Sequence, residues 1–204
     1  AEARQRRRKS ILDVLAQADA YFREQLRRHP NRARVVDYLK GRGISGEIAR
    51  DYGIGFAPPG TRNLQAALQK SNEDRDLLIA AGLVREDGDR SYELFRDRVM
   101  FPVRNLRGQV IAFGGRIMGD GQPKYLNSPE TEVFRKGSEL YALYDARRSG
   151  HLDRLLVVEG YMDVVGLAQA GIRNSVATLG TATTSDHIER LFNQVPEVVF
   201  CFDG

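Results

Sequence analysis

The fold turns on residues 155–204, LLVVEGYMDVVGLAQAGIRNSVATLGTATTSDHIERLFNQVPEVVFCFDG. Leu155 to Val158 is a short apolar run of the kind that forms a strand covered on both faces. Tyr161 to Ala170 has helical periodicity and closes at Gly171. Ser175 to Leu179 predicts a second strand. Thr184 or Ser185 caps a helix through Phe192, and Val198 to Phe202 predicts a third strand. Strand, helix, strand, helix, strand at this spacing implies a parallel sheet with right-handed crossovers, an α/β unit.

The first of these strands runs into Glu159-Gly160 and the third into Asp203-Gly204. Strands of one parallel sheet share a direction, so both carboxylates fall at the same edge, where open parallel sheets bind ligands. Two hard oxygen donors facing one pocket suit Mg²⁺, which keeps several waters and takes one or two carboxylates. On the residues alone a second reading stays open, in which Glu-Gly and Asp-Gly are ordinary turn dipeptides. No G-x-G-x-x-G follows a strand and no G-x-x-x-x-G-K-[ST] occurs, which argues against dinucleotide and P-loop sites.

Upstream, the pattern is first helical. Residues 1–9 read as a solvated basic arm, and Ser10 with Asp13 as the start of a helix carrying Ile11, Leu15, Ala18, Phe22 and Leu26. Further helices are predicted after Asn31, around Ile48, over 63–70 and over 74–81. Turns fall at Pro58-Pro59-Gly60 and Asp87-Gly88. Val99 to Phe101 and Val110 to Phe113 read as strands joined through Asn105 to Gly108. Gly114-Gly115 suggests a bulge or a close backbone approach, and residues 122–138 read as largely loop.

Composition sets limits on function. Hydrophobic residues make up 42% and mean hydropathy is −0.42, enough for a sizeable core. No apolar run approaches the roughly 20 residues that span a bilayer, so a cytoplasmic protein without a membrane partner is expected. A single cysteine, Cys201, excludes an internal disulfide and is expected in the core. His29, His151 and His187 are scattered without ligand spacing. Arg4, Arg6, Arg7, Arg8 and Lys9 against Glu2 account for the whole net charge of +4. The remainder balances, so only local segregation of charge can mark a nucleic-acid surface. Residues 94–128 show such segregation: Arg96, Arg98, Arg104, Arg107, Arg116 and Lys124 stand against Asp97 and Asp120. Arg96 and Arg98 are expected to share a strand face. Arginine forks suit phosphate, Tyr125 can stack on a base and Asn127 can hydrogen-bond one. A merely solvated face is the competing reading.

Several motifs then occur together. Val158-Glu159-Gly160-Tyr161-Met162-Asp163-Val164 resembles the first motif of the TOPRIM domain, and Phe202-Asp203-Gly204 resembles the start of its D-x-D motif. Ala177-Thr178-Leu179-Gly180-Thr181-Ala182 resembles the primase version of the intervening segment. Arg96 to Pro102, Phe113-Gly114-Gly115-Arg116 and Pro123 to Thr131 are similar to the polymerase half of bacterial DnaG-type primases. So are Tyr38-Leu39 with Arg42-Gly43, and Gly55 to Gly60. The resemblance covers nearly all the chain after the basic arm.

The resemblance implies an α+β N-terminal subdomain over 10–152, following the arm at 1–9, and a partial TOPRIM βαβαβ sheet over 153–204, cut short at the first aspartate of its D-x-D motif. It implies a DNA-directed RNA polymerase that lays short RNA primers on single-stranded DNA by Mg²⁺-dependent nucleotidyl transfer, with Mn²⁺ as the substitute ion. Glu159 would be the catalytic carboxylate and a metal ligand, Asp203 a second ligand, and Asp163 a support from the next helix. Arg42, Arg96, Arg98, Arg116, Lys124, Tyr125, Asn127 and Lys136 would hold template or nucleotide. Single-stranded DNA, ribonucleoside triphosphates and the RNA primer are the implied partners. Zinc belongs to an N-terminal module, and the replicative helicase to a C-terminal domain, neither of which is in this sequence. The motif needs a further aspartate after Gly204, so a fragment inactive alone is expected. The alternatives are a non-catalytic nucleic-acid-binding module with a degenerate unit, and a TOPRIM topoisomerase or nuclease. The motifs before residue 155 speak against the last.

Overall fold

The computed structural model describes residues 1–203; Gly204, expected to follow the second carboxylate, lies outside them. The chain opens on one long helix, α1 (Glu2–Arg28). The first nine residues are therefore its leading turns and not an arm. Ala, Arg, Gln and Glu are all strong helix formers, and Glu2 at the start with Arg27 and Arg28 at the end complements the helix dipole. Two arginines also tie these turns down: Arg7 pairs with Glu132 at 2.8 Å, and Arg8 donates to the Glu132 carbonyl. Ser10 does not cap a helix start. Its hydroxyl donates back to the Arg6 carbonyl at 3.1 Å, the i−4 bond of a mid-helix serine.

Two short helices follow, α2 (Arg32–Gly41) and α3 (Gly46–Asp51). The strand β1 (Gly55–Ala57) leads to α4 (Asn63–Leu68) and α5 (Asn72–Ala80). A hairpin, β2 (Val84–Asp87) and β3 (Arg90–Glu93), turns at the expected Asp87-Gly88. From β3, buried Glu93 caps α4 across the gap. Its Oε1 and Oε2 accept the backbone N–H groups of Leu64 and Gln65, each at 2.9 Å. An anion at a helix start satisfies donors that have no partner inside the helix.

The main antiparallel sheet is built from β1, β4 (Arg98–Arg104), β5 (Val110–Ile117) and β6 (Tyr125–Asn127), in that order. The short β6 lies inside the segment that reads as loop from sequence. The β4–β5 register shifts at Val103 and Arg104, whereas Gly114 and Gly115 keep ordinary register. The glycine pair therefore serves a close approach and not a bulge. A Cβ on Gly114 would lie 2.2 Å from Cζ of Tyr161.

After α6 (Leu143–Arg148), the parallel unit follows as expected: β7 (Arg154–Val158), α7 (Tyr161–Gln169), β8 (Ser175–Ala177), α8 (Ser185–Phe192) and β9 (Glu197–Phe200). β7 is central and pairs in parallel with both β8 and β9. Tyr141 joins the free edge of β8 by exchanging two backbone hydrogen bonds with Ala177, at 2.8 and 3.2 Å. One apolar core runs from Ile11 on α1 through Phe101 and Phe113 to Val158, Tyr161 and Leu179, so the two sheets share it. A smaller cluster under α6 and α8 contains Leu155, Val157, Val176 and Leu191. Cys201 departs from expectation: it is exposed, because it follows β9, whose residues are exposed or only half-buried at this edge of the sheet.

Candidate active site and nucleic-acid interface

Parallel pairing brings Glu159 and Asp203 to one rim. The β7–β9 register aligns Val157 with Phe200, and Cys201 N–H continues the ladder to the Val157 carbonyl at 2.8 Å. Both carboxylates then emerge from the carboxyl ends of adjacent strands. Asp203 N–H donates to Glu159 Oε1 at 3.0 Å, which ties the two segments together. Both residues are exposed. Asp163 sits in the first turn of α7, where its Oδ2 accepts the Gly160 N–H at 3.1 Å and fixes the turn after Glu159. Two oxygen donors at one rim fit a hard divalent cation that retains water. Among the described residues, no group of three or more His, Cys, Asp or Glu is arranged to hold an ion.

A second feature leads toward this rim. Arg42 lies over the Tyr38 ring at 5.3 Å, and Arg116 lies 5.5 Å from Tyr38 and 5.2 Å from Tyr125. Lys124 Nζ is 5.9 Å from the Tyr125 ring. The result is an alternating ladder of cation and aromatic ring, each contact within cation–π range. Burial pushes the Tyr38 hydroxyl above its ordinary range, and Arg116 and Arg42 offset part of that rise. The Tyr38 hydroxyl and Arg116 Nε are buried with no hydrogen-bond partner among the described residues, and Arg116 itself is buried, its Nη1 donating to the Ile117 carbonyl. Tyr125 keeps 39% of its surface exposed.

Tyr161 joins ladder and rim. It follows Glu159-Gly160 directly, and its ring centroid is 6.4 Å from that of Tyr125. The ring stacks on Phe101 at 5.2 Å, and its hydroxyl donates to Asn127 Oδ1. Burial raises that hydroxyl well above the usual tyrosine range.

This arrangement can be set beside known proteins. Residues 21–147 match the family model for the DNA primase catalytic core, N-terminal domain, and residues 153–204 match the Toprim domain. The chain belongs to the DNA primase catalytic core family. It is 58% identical over 197 residues to a DNA primase of Pseudomonas putida, covering 95% of this chain and 30% of that protein. It thus spans about a third of such relatives. A solved DnaG primase catalytic domain bound to single-stranded DNA superposes with a TM-score of 0.95 at 47% identity, covering 98% of this chain and 63% of that one. A DNA primase domain from Pseudomonas aeruginosa gives 0.92 at 57% identity, covering 95% of this chain and 61% of that one.

Within this primase core the remaining residues expected at the site separate. Arg96 is exposed and lies 5.9 Å over Tyr92, before β4 begins. Arg98 is buried, its Nη1 directed at the carbonyls of Gly115 and Lys124, both at 3.4 Å. Between them Asp97 takes a positive φ of 53°, which breaks the strand alternation, so the shared face does not form. Burial, and then the neighbouring Arg96, lowers the Arg98 pKa. Arg98 therefore braces the β5–β6 edge. Lys136 is held through its backbone. Buried His187 accepts the Thr184 N–H on Nδ1 at 3.1 Å and donates from Nε2 to the carbonyls of Lys136 and Glu139, at 2.8 and 3.1 Å. Carbonyls only accept, so Nε2 carries the proton. Tyr38 and Tyr161 are the residues the functional reading of the sequence passed over. The i, i+4 spacing of Tyr38 and Arg42 was the available signal for the first.

Proposed function

We propose that this chain is the nucleic-acid-binding and carboxylate-bearing part of a primase. That enzyme lays short RNA primers on single-stranded DNA by nucleotidyl transfer from ribonucleoside triphosphates. The observation that carries the proposal is the meeting of Glu159 and Asp203 at one rim, linked by the 3.0 Å hydrogen bond. On this reading, residues 153–204 form the catalytic unit and the preceding residues the template platform.

Glu159 and Asp203 would hold a divalent cation, Mg²⁺ or Mn²⁺. The chemistry such an ion supplies when bound is charge neutralisation on phosphoryl oxygens and orientation of the reacting groups. The protein's own share is placement. Asp163 fixes the turn that presents Glu159, and the Asp203 N–H holds one oxygen of that carboxylate. Lys124, Arg42 and the exposed parts of the ladder take backbone phosphates, while the exposed face of Tyr125 offers a stacking surface worth roughly 1–3 kcal/mol per base. Tyr161 and Asn127 keep platform and rim in register. The replicative helicase would engage a part of the enzyme outside these residues, and the setting would be the cytoplasmic replication fork. Among the described residues no helix is long and apolar enough to cross a membrane.

The test is ribonucleotide incorporation on single-stranded DNA by a chain extended to the length of its relatives, wild type against Glu159→Gln. Loss of synthesis with template binding retained supports the assignment. Equal rates remove Glu159 from the chemistry and leave a nucleic-acid-binding module.

A further inference from the structure

The end of α1, α2 and α3 enclose a groove of about 440 Å³ on a surface the catalytic reading does not use. Its floor is aliphatic: Leu39, Ile44 and Ile54 are buried, and Leu26 and Val36 are half-buried beside them. Its rim is cationic, formed by Arg23, Arg27, Arg32, Lys40 and Arg50. Among the described residues no carboxylate lines it. Arg23 pairs with Asp19 on its own helix at 3.2 Å, whereas Arg27, Lys40 and Arg50 have no ion-pair partner among the described residues. Helical periodicity divides α2 between two duties. Arg32, Val36 and Lys40 fall on one stripe at four-residue spacing and face the groove. Tyr38 and Arg42 face the cation–aromatic ladder instead.

We propose that this groove docks an acidic amphipathic helix of a protein partner. An open trough between helices, with an apolar floor and a rim of one charge, suits a helix that presents aliphatic side chains inward and carboxylates outward. Charge complementarity fixes the sign of the partner. The floor argues against nucleic acid. Single strands bind where cations accompany aromatic stacking platforms, and among the described residues no Phe, Tyr, Trp or His lines this groove. The chain's cation–aromatic surface lies on the other face of α2. The two ligands can therefore bind together.

The probe is a labelled, helix-forming peptide of about 12 residues, roughly 18 Å long as a helix, with leucines at three- and four-residue spacing and glutamates elsewhere. Its binding to the chain is followed by fluorescence anisotropy. The expected result is saturable binding, weakened about tenfold by Lys40→Glu combined with Arg50→Glu, since both rim charges are reversed. Val36→Glu should weaken it similarly, as should replacing the peptide's leucines with serine. Circular dichroism checks that each variant remains folded. An oligothymidylate should leave peptide binding unchanged. Absence of saturable binding overturns the proposal, as does equal affinity in the rim and floor variants. Competition by oligothymidylate also overturns it and assigns the groove to nucleic acid. Loss of template binding in Tyr125→Ala with peptide binding intact would distinguish this surface from the primase platform.

Discussion

Replacing Gly114 with alanine adds one methyl group where β5 meets the first turn of α7. The new Cβ would lie 2.2 Å from Cζ and 2.4 Å from the hydroxyl oxygen of Tyr161. Carbon atoms rest at about 3.5–4.0 Å, so ring or strand must move by more than about 1 Å. The ring has little room to move. It stacks on Phe101 at 5.2 Å, meets Tyr141 edge-on at 4.8 Å, and is only 4% exposed. Overpacking a core site costs about 1–3 kcal/mol, and losing the Tyr161–Asn127 hydrogen bond adds about 1 kcal/mol. For a chain of this size each kcal/mol lowers Tm by about 2–4 °C, so Gly114→Ala should melt about 4–16 °C below the wild type by circular dichroism or calorimetry. Tyr161→Ala removes the obstructing ring. In that background the added methyl should cost almost nothing, and the double-mutant cycle should return a large coupling. A Gly114→Ala chain melting within about 1 °C of wild type, or an equal loss in both backgrounds, would refute the proposed junction.

Other perturbations probe separate parts of the account. Glu93→Ala removes a buried carboxylate that accepts from Leu64 and Gln65 N–H groups, and should cost about 3 kcal/mol by urea denaturation; a change under about 1 kcal/mol would deny it that capping role. Lys124→Ala should weaken single-stranded DNA binding and reduce the salt slope by about 0.7, a single phosphate contact; an unchanged slope places Lys124 off the template. Burial raises the Asp19 and Asp145 carboxyls, partly offset by Arg23 at the first and by Arg104 at both. A raised folded-state pKa means the folded chain holds the proton more tightly, so stability falls as pH rises from the ordinary aspartate range through the folded-state value. Asp19→Asn should flatten that fall in Tm measured against pH, and an unaltered profile would exclude Asp19 as its source.

The parallel unit was legible because each strand is a short apolar run and the breaks carry a glycine, a cap or, before the last strand, Pro196. The direction rule for such sheets sets Glu159 and Asp203 on one rim from the sequence alone. Residues 1–9 were misread because their charge suggested an arm. Their helix propensity and the distant tether at Glu132 decide otherwise, and the tether is a tertiary contact absent from local sequence. Cys201 lies in an apolar run, yet the run follows an edge strand, and periodicity cannot tell an edge from a centre. Arg96 and Arg98 do not share the expected strand face, because Asp97 between them takes a positive φ that local sequence does not announce. The ladder through Tyr38, Arg116 and Tyr125 joins a helix to two strands far apart in sequence, so its parts were visible and their stacking was not.

Two carboxylates from adjacent parallel strands are expected to act together on a divalent ion. Titrating a chain extended to the length of its relatives with Mn²⁺ and following the free-ion signal by electron paramagnetic resonance tests this directly. The wild type should deplete the free signal, and Glu159→Gln with Asp203→Asn should abolish that depletion while the melting curve is preserved. A wild-type chain that binds no Mn²⁺, or a double variant that binds as much as wild type, would contradict the account.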